Sequence, residues 1–323
     1  MGNMDTITKN YMKDKSVFAD AFNFLIYGGA RVIQPEMLRP ADTAELGIFE
    51  DAGQEKDIKF LQRFRDNVNI CTMMQDENAA YLILAVEEQT EVHYAMPVKN
   101  MGYDYLRYNS QVENIAAEHR KEKTKNISSG EFLSGFYKDD KLIPVITLVI
   151  YFSANEWDGP RSLHDMLEIQ DERVLRYVQD YRLNLIEPYG CSDEELESLQ
   201  SSLREVMLFI KYSKDKQKLR RLLQEDDRYT RMDKRAALVI NAATNMKIKV
   251  DSDQNGKEEA VDMCQAVAEM MEDARAEGLD EGKKETQILV AEKLINRGGF
   301  TSEEISELSG LPEEEVEKII KNA

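Results

Sequence analysis

Three polar residues at the edges of an apolar hairpin are the ones in this sequence whose types and spacing could do chemistry. Asp66 precedes the run Asn67 to Met74 (NVNICTMM), and Glu87 and Gln89 follow the run Ala79 to Val86 (AAYLILAV). Gln75-Asp76-Glu77-Asn78 between them reads as a turn, so the runs form an antiparallel hairpin. The start of the first strand then lies beside the end of the second, which sets Asp66 near Glu87. Alternation along an extended chain sends Glu87 and Gln89 to one side and Glu88 to the other. Two carboxylates at a buried strand end repel each other, and a hard divalent cation offsets that repulsion. Magnesium, with manganese as a substitute, suits such a set: one or two carboxylates, a carbonyl, and waters left to attack a phosphoryl centre. The same spacing also describes two plain surface acids at strand ends, and periodicity alone does not separate the readings.

The elements that must position these residues follow from pattern. Ser16 to Tyr27 (SVFADAFNFLIY) has helical spacing and stops at Gly28-Gly29. Ala44 to Phe49 reads as a short strand, and Glu55 to Arg65 as a polar helix or linker. The continuously apolar second run is that of a central strand covered on both faces. Ala95 to Arg120 is helical, with Pro97 in its first turn. Val145 to Phe152 (VITLVIYF) is a second buried strand, and Leu183 to Ile186 a further short one. From Asp193 the chain turns helical, Asp251 to Lys257 (DSDQNGK) is a linker, and the rest is acidic helix. The order of elements describes an α/β core with helical additions.

Composition excludes several classes. No apolar run approaches a membrane span, and the first residues (MGNMDTITKNYMKDK) lack the apolar core of an export signal, so a cytoplasmic protein is expected. Three scattered cysteines do not make a disulfide framework, and His93, His119 and His164 stand in no zinc spacing. No phosphate-binding glycine loop or nucleophile elbow is present. The net charge of −19 is uneven: residues 251–323 carry 20 acidic and 8 basic side chains, whereas residues 201–240 carry 11 basic and 6 acidic. Arg220 and Arg221 in that stretch, and Lys121, Lys123 and Lys125 beside Arg120, are candidate nucleic-acid contacts, since phosphate binding needs local patches rather than a basic total. Solvated helix faces or loops would look the same.

Beyond spacing, the chain resembles the PD-(D/E)XK nuclease-like transposase family, the Rpn group of recombination-promoting nucleases. The resemblance is carried by Phe18 to Tyr27 (FADAFNFLIY), Arg65-Asp66, Glu87-Glu88-Gln89, Val92 to Tyr108 (VHYAMPVKNMGYDYLRY), Gly130 to Tyr137 (GEFLSGFY) and Pro144 to Pro160 (PVITLVIYFSANEWDGP). It spans roughly residues 1–220 and implies a restriction-endonuclease-like α-β-β-β-α-β core with a mixed central sheet, followed by helical C-terminal extensions. It further implies a magnesium-dependent DNA endonuclease linked to transposition or recombination, with Asp66 and Glu87 as metal ligands. Gln89 takes the place of the family's usual lysine, which orients the attacking water and stabilises charge on phosphate. Lys99, on the first turn of the next helix, is the candidate for a cation moved from strand to helix, and Asp20 is a candidate further ligand. The missing strand lysine keeps an alternative open: a catalytically decayed nuclease fold acting as a DNA-associated or regulatory protein.

The expected organisation is a nuclease-like core over 1–190, a helical extension packed on or next to it over 191–250, and an acidic tail over 258–323. In the tail, Phe300 to Ile320 has helix-turn-helix rhythm, with Thr301 and Glu304 as a capping box and Gly310 at the turn. Its second helix opens Glu313-Glu314-Glu315, which suits a helix N-terminus but repels DNA. The tail is therefore expected to make a homodimer or higher oligomer rather than to read bases.

Overall fold

The computed structural model describes residues 2–41, 44–49, 59–64, 67–75, 78–122, 127–248, 250 and 260–322. The chain divides into two compact units, residues 1–246 with 252–262, and residues 247–251 with 263–323.

In the first unit, α1 (Gly2–Met12) and α2 (Lys15–Tyr27) come first. The Asp14 carboxylate caps α2 by accepting from the Ser16 N–H, and Gly28 ends it at φ 58°, a conformation that favours glycine. Strands β1 (Leu38–Pro40), β2 (Ala44–Phe49), β3 (Lys59–Phe64), β4 (Asn67–Gln75) and β5 (Asn78–Gln89) follow. Helix α3 (Met96–Glu122), the short helix α4 (Ser129–Ser134), β6 (Val145–Tyr151), the single-turn α5 (Glu172–Leu175) and β7 (Asn184–Ile186) complete the α/β part. The main sheet runs β1-β4-β5-β6-β7, antiparallel from β1 to β5 and parallel from β5 to β7. Taken as α2, β1, β4, β5, α3 and β6, this is a mixed-sheet, restriction-endonuclease-like core. The β2–β3 hairpin is inserted as a separate two-stranded sheet. Lys59–Phe64 is thus a strand and not the helix or linker expected from its polarity, because β2 supplies a partner along its whole length.

Burial explains why β5 is so apolar. Leu84, Ala85 and Val86 have no exposed surface. On one sheet face Met96 of α3 packs with Val149, Tyr151 and Trp157. On the other, Asn67 reaches the Lys9 carbonyl of α1, and the Tyr11 ring meets Phe152 edge-on at 6.3 Å. A strand covered twice has no solvent face on which to alternate.

Helices α6 (Asp193–Glu197), α7 (Leu203–Tyr212), α8 (Lys216–Glu225) and α9 (Lys234–Thr244) extend this unit. They are stitched to the first two helices: the Tyr11 and Ser202 hydroxyls bond at 2.9 Å, and Arg235 donates to Asp14 at 2.6 Å. The two-residue strands β8 (Met232–Asp233) and β9 (Ala260–Val261) pair antiparallel. Strand β9 belongs to the first unit, and residues 247–251 and 263–323 make up the second.

The second unit holds α10 (Met263–Arg297), α11 (Ser302–Ser309) and α12 (Glu313–Asn322). Ala291, Ile305, Leu311 and Val316 form its buried cluster. Thr301 and Glu304 make the expected capping box, and Gly310 turns the chain at φ 74°. Among the described residues no helix is long and apolar enough to cross a membrane.

Candidate active site

The end of β5 collects the polar residues. In register, Asn67 opposes Val86 on the antiparallel side, while Glu87 and Gln89 lie beside Val149 and Tyr151 on the parallel side. Glu87 is 1% exposed and Glu88 6%, so neither is a surface acid. Alternation separates them as the period requires. Glu88 accepts from Asn67 Nδ2 at 2.6 Å on the α1 face, whereas Glu87 meets α3.

Helix α3 brings the cation. Lys99 Nζ donates to Glu87 Oε2 at 2.8 Å, and the same ammonium lies 5.7 Å from the centroid of the Tyr103 ring. Pro97 in the first turn fixes the helix start, which puts Lys99 one turn in and over the strand end. The Lys99 side chain is 24% exposed, so an almost fully buried carboxylate is balanced by a partly hydrated ammonium. A buried carboxylate requires such compensation. Gln89 Nε2 donates to the Glu88 carbonyl at 3.0 Å, so its amide nitrogen is engaged on its own strand.

Asp66 lies outside the described residues, as do Lys123 and Lys125. Asp20 is engaged elsewhere. Both its oxygens accept from the Gln200 N–H, at 3.0 and 2.9 Å, and Oδ2 also accepts from the Ser201 N–H and hydroxyl, both at 2.7 Å. These contacts make it the anchor of the segment leading into α7, not a ligand beside Glu87. Lys121 is exposed near the far end of α3, about 33 Å along the helix from Lys99 at 1.5 Å per residue. Arg220 and Arg221 are exposed on α8, and Arg221 pairs with Glu225 at 2.9 Å.

The donors at the strand end are hard oxygens, the chemistry that magnesium and manganese take. Among the described residues no three His, Cys, Asp or Glu side chains form a metal cage, and magnesium ordinarily uses fewer. The histidines are committed locally: His119 Nε2 to Asp140 at 2.9 Å, His164 Nε2 to the Val178 carbonyl at 2.8 Å, and His93 Nδ1 accepting from the Ala95 N–H at 3.3 Å. Burial pushes the Cys71 and Cys191 thiols up, away from the thiolate a nucleophile needs.

One residue escaped sequence reasoning. Asn100 is 1% exposed, and its Oδ1 has no hydrogen-bond partner among the described residues. The available signal was the four-residue repeat Met96, Asn100, Asp104, Tyr108, which sets polar residues on a buried helical stripe.

No curated protein and no solved structure matches this chain. A family model does, over residues 61–235, which is more than half of the chain and includes Asp66, Glu87, Gln89 and Lys99. Its description agrees with the PD-(D/E)XK nuclease-like transposase resemblance read from the sequence. The chain belongs to the family described as "Putative transposase, YhgA-like".

Proposed function

We propose that this protein is a magnesium-dependent DNA endonuclease of the recombination or transposition type, working at the end of β5. The observation that carries the reading is the Lys99–Glu87 pair. The positive charge that the family's strand lysine would supply at position 89 is delivered from α3, beside the acid it would serve. In this reading Glu87 and Asp66 hold the cation, which polarises phosphate and activates water when bound. Gln89 positions the water through its side-chain oxygen, its nitrogen being held by the Glu88 carbonyl. Lys99 stabilises negative charge developing on the phosphate. Lys121, Arg220 and Arg221 are proposed phosphate contacts.

The test is plasmid nicking with Mg²⁺ or Mn²⁺, comparing wild type with Glu87→Gln. Metal-dependent nicking that the substitution abolishes supports the reading, and equal nicking by both proteins ends it. The ion pair also favours a second reading, a decayed nuclease fold serving as a DNA-associated or regulatory protein. A lysine bonded to the acid supplies the charge that a metal would otherwise bring. Retained DNA binding without cleavage in either metal would select this second reading.

A further inference from the structure

Helix α3 lies along β6 with a regular stitch. Met96 packs on Val149 and Tyr151. Asp104 accepts from the Thr147 hydroxyl at 2.6 Å, and the Tyr108 hydroxyl accepts from the Val145 N–H at 3.0 Å. Gln111 donates to the Ile143 carbonyl at 3.1 Å and accepts from its N–H at 2.7 Å. As the helix numbers rise, the strand numbers fall. Asn100 stands four residues from both Met96 and Asp104 and therefore shares their stripe. The contacts on either side bracket it over β6 between Val149 and Thr147. The β5 neighbours of those two residues are Glu87 and Ala85. Asn100 is thus placed between the rows of Glu87 and Ala85, and it is next in sequence to Lys99, which bonds Glu87.

A buried amide oxygen without a partner costs about 1–3 kcal/mol, and native structures keep such atoms where an ordered water or a functional role compensates. Leucine would fill a comparable space without that penalty. We propose that Asn100 is a positioning residue of the Glu87 site: its Oδ1 accepts a hydrogen bond from a water that also hydrates a divalent cation held at Glu87. This rests on the nuclease reading above. Residues that orient a metal's surroundings typically change metal affinity by about 10–100-fold when removed.

The test is Mn²⁺ titration by electron paramagnetic resonance on the full chain, with thermal unfolding and plasmid nicking measured on the same samples. Asn100→Leu should unfold at the wild-type temperature or above it, bind Mn²⁺ about 10-fold more weakly, and nick more slowly. Asn100→Asp keeps an acceptor oxygen and should bind Mn²⁺ at least as tightly as wild type. If Asn100→Leu fails to fold, the Asp variant decides, and weaker Mn²⁺ binding by it overturns the proposal. Wild-type binding and nicking by Asn100→Leu overturn the proposal while leaving the nuclease reading intact. A wild type that neither binds Mn²⁺ nor nicks removes both.

Discussion

Replacing Lys99 with methionine keeps the unbranched stem of the side chain and deletes its charge. The acid it faces is 1% exposed, so the carboxylate of Glu87 cannot turn to bulk water once the ammonium has gone. Breaking a fully buried ion pair from one side costs about 3–5 kcal/mol. Lys99 is a quarter exposed and already keeps some hydration, which brings the expected loss to about 2–4 kcal/mol. Glu87→Gln should cost less, because the remaining ammonium can swing into solvent. The double variant Glu87→Gln/Lys99→Met carries no unbalanced charge and should recover much of the loss, giving a coupling energy of about 2 kcal/mol. Urea unfolding of the four proteins in EDTA measures this cycle. Repeating it with Mn²⁺ adds a second arm, since a cation at Glu87 replaces the missing charge. At a hundredfold excess over its dissociation constant it returns about 2.7 kcal/mol to Lys99→Met. Turnover in the metal-loaded variant should nevertheless fall about 10²–10⁴-fold, the range for a lost charge stabiliser or acid–base group. Wild-type stability of Lys99→Met in EDTA, with coupling below about 0.5 kcal/mol, would refute the energetic argument. Unchanged turnover at saturating DNA, with only a flatter salt dependence, would reduce Lys99 to a phosphate contact.

Asp20→Ala should lower stability by about 2–4 kcal/mol, since it strips charge-assisted bonds from residues 200 and 201, while Mn²⁺ affinity stays at the wild-type value. Glu88→Gln preserves the acceptor that Asn67 uses and should nick within a few-fold of wild type, whereas Glu87→Gln should be inactive; equal losses in nicking would show that both strand faces serve the site. Burial pushes the Asp14 carboxyl up, but Arg235 and the Ser16 and Val17 N–H groups outweigh it and hold it below its ordinary range. An acid lowered in the folded state stabilises fully above its unfolded pKa of about 3.9, and that contribution fades as pH falls through the folded value. The stability gap between wild type and Asp14→Asn should therefore be present at pH 7 and close below about pH 4. Truncation after Asp262 should leave a folded α/β unit, whereas truncation before Ala260 removes β9 and should lower its unfolding temperature.

Much of the site could be read from the sequence because period carries direction. Two residues apart on one strand, Glu87 and Gln89 had to share a face, and Glu88 is found on the other. Pro97 marked a helix start, which set Lys99 within reach of the strand end. What stayed hidden depends on partners distant in sequence. Asp20 looks like a helix-surface acid until residues 200 and 201, far along the chain, fold over it. Lys59–Phe64 looks polar and non-committal until β2 pairs with it. Ala260–Val261 sits beyond an Asp/Ser/Asn/Gly stretch that reads as a boundary, yet it closes a two-residue ladder with β8. Asn100 hid because its only signal, the four-residue repeat from Met96 to Tyr108, does not say which face of the helix is buried.

The stitch between α3 and β6 also has a temporal consequence. Glu87 and Lys99 are only twelve residues apart, but the helix is registered by Val145, Thr147 and Val149, which the ribosome makes some fifty residues later. Loop closure over that length must precede the contact. A nascent chain ending anywhere before β6 therefore holds the acid and the lysine without the clamp that sets them face to face. On the nuclease reading proposed above, the pair would be clamped only once the parallel strands β5 and β6 have closed.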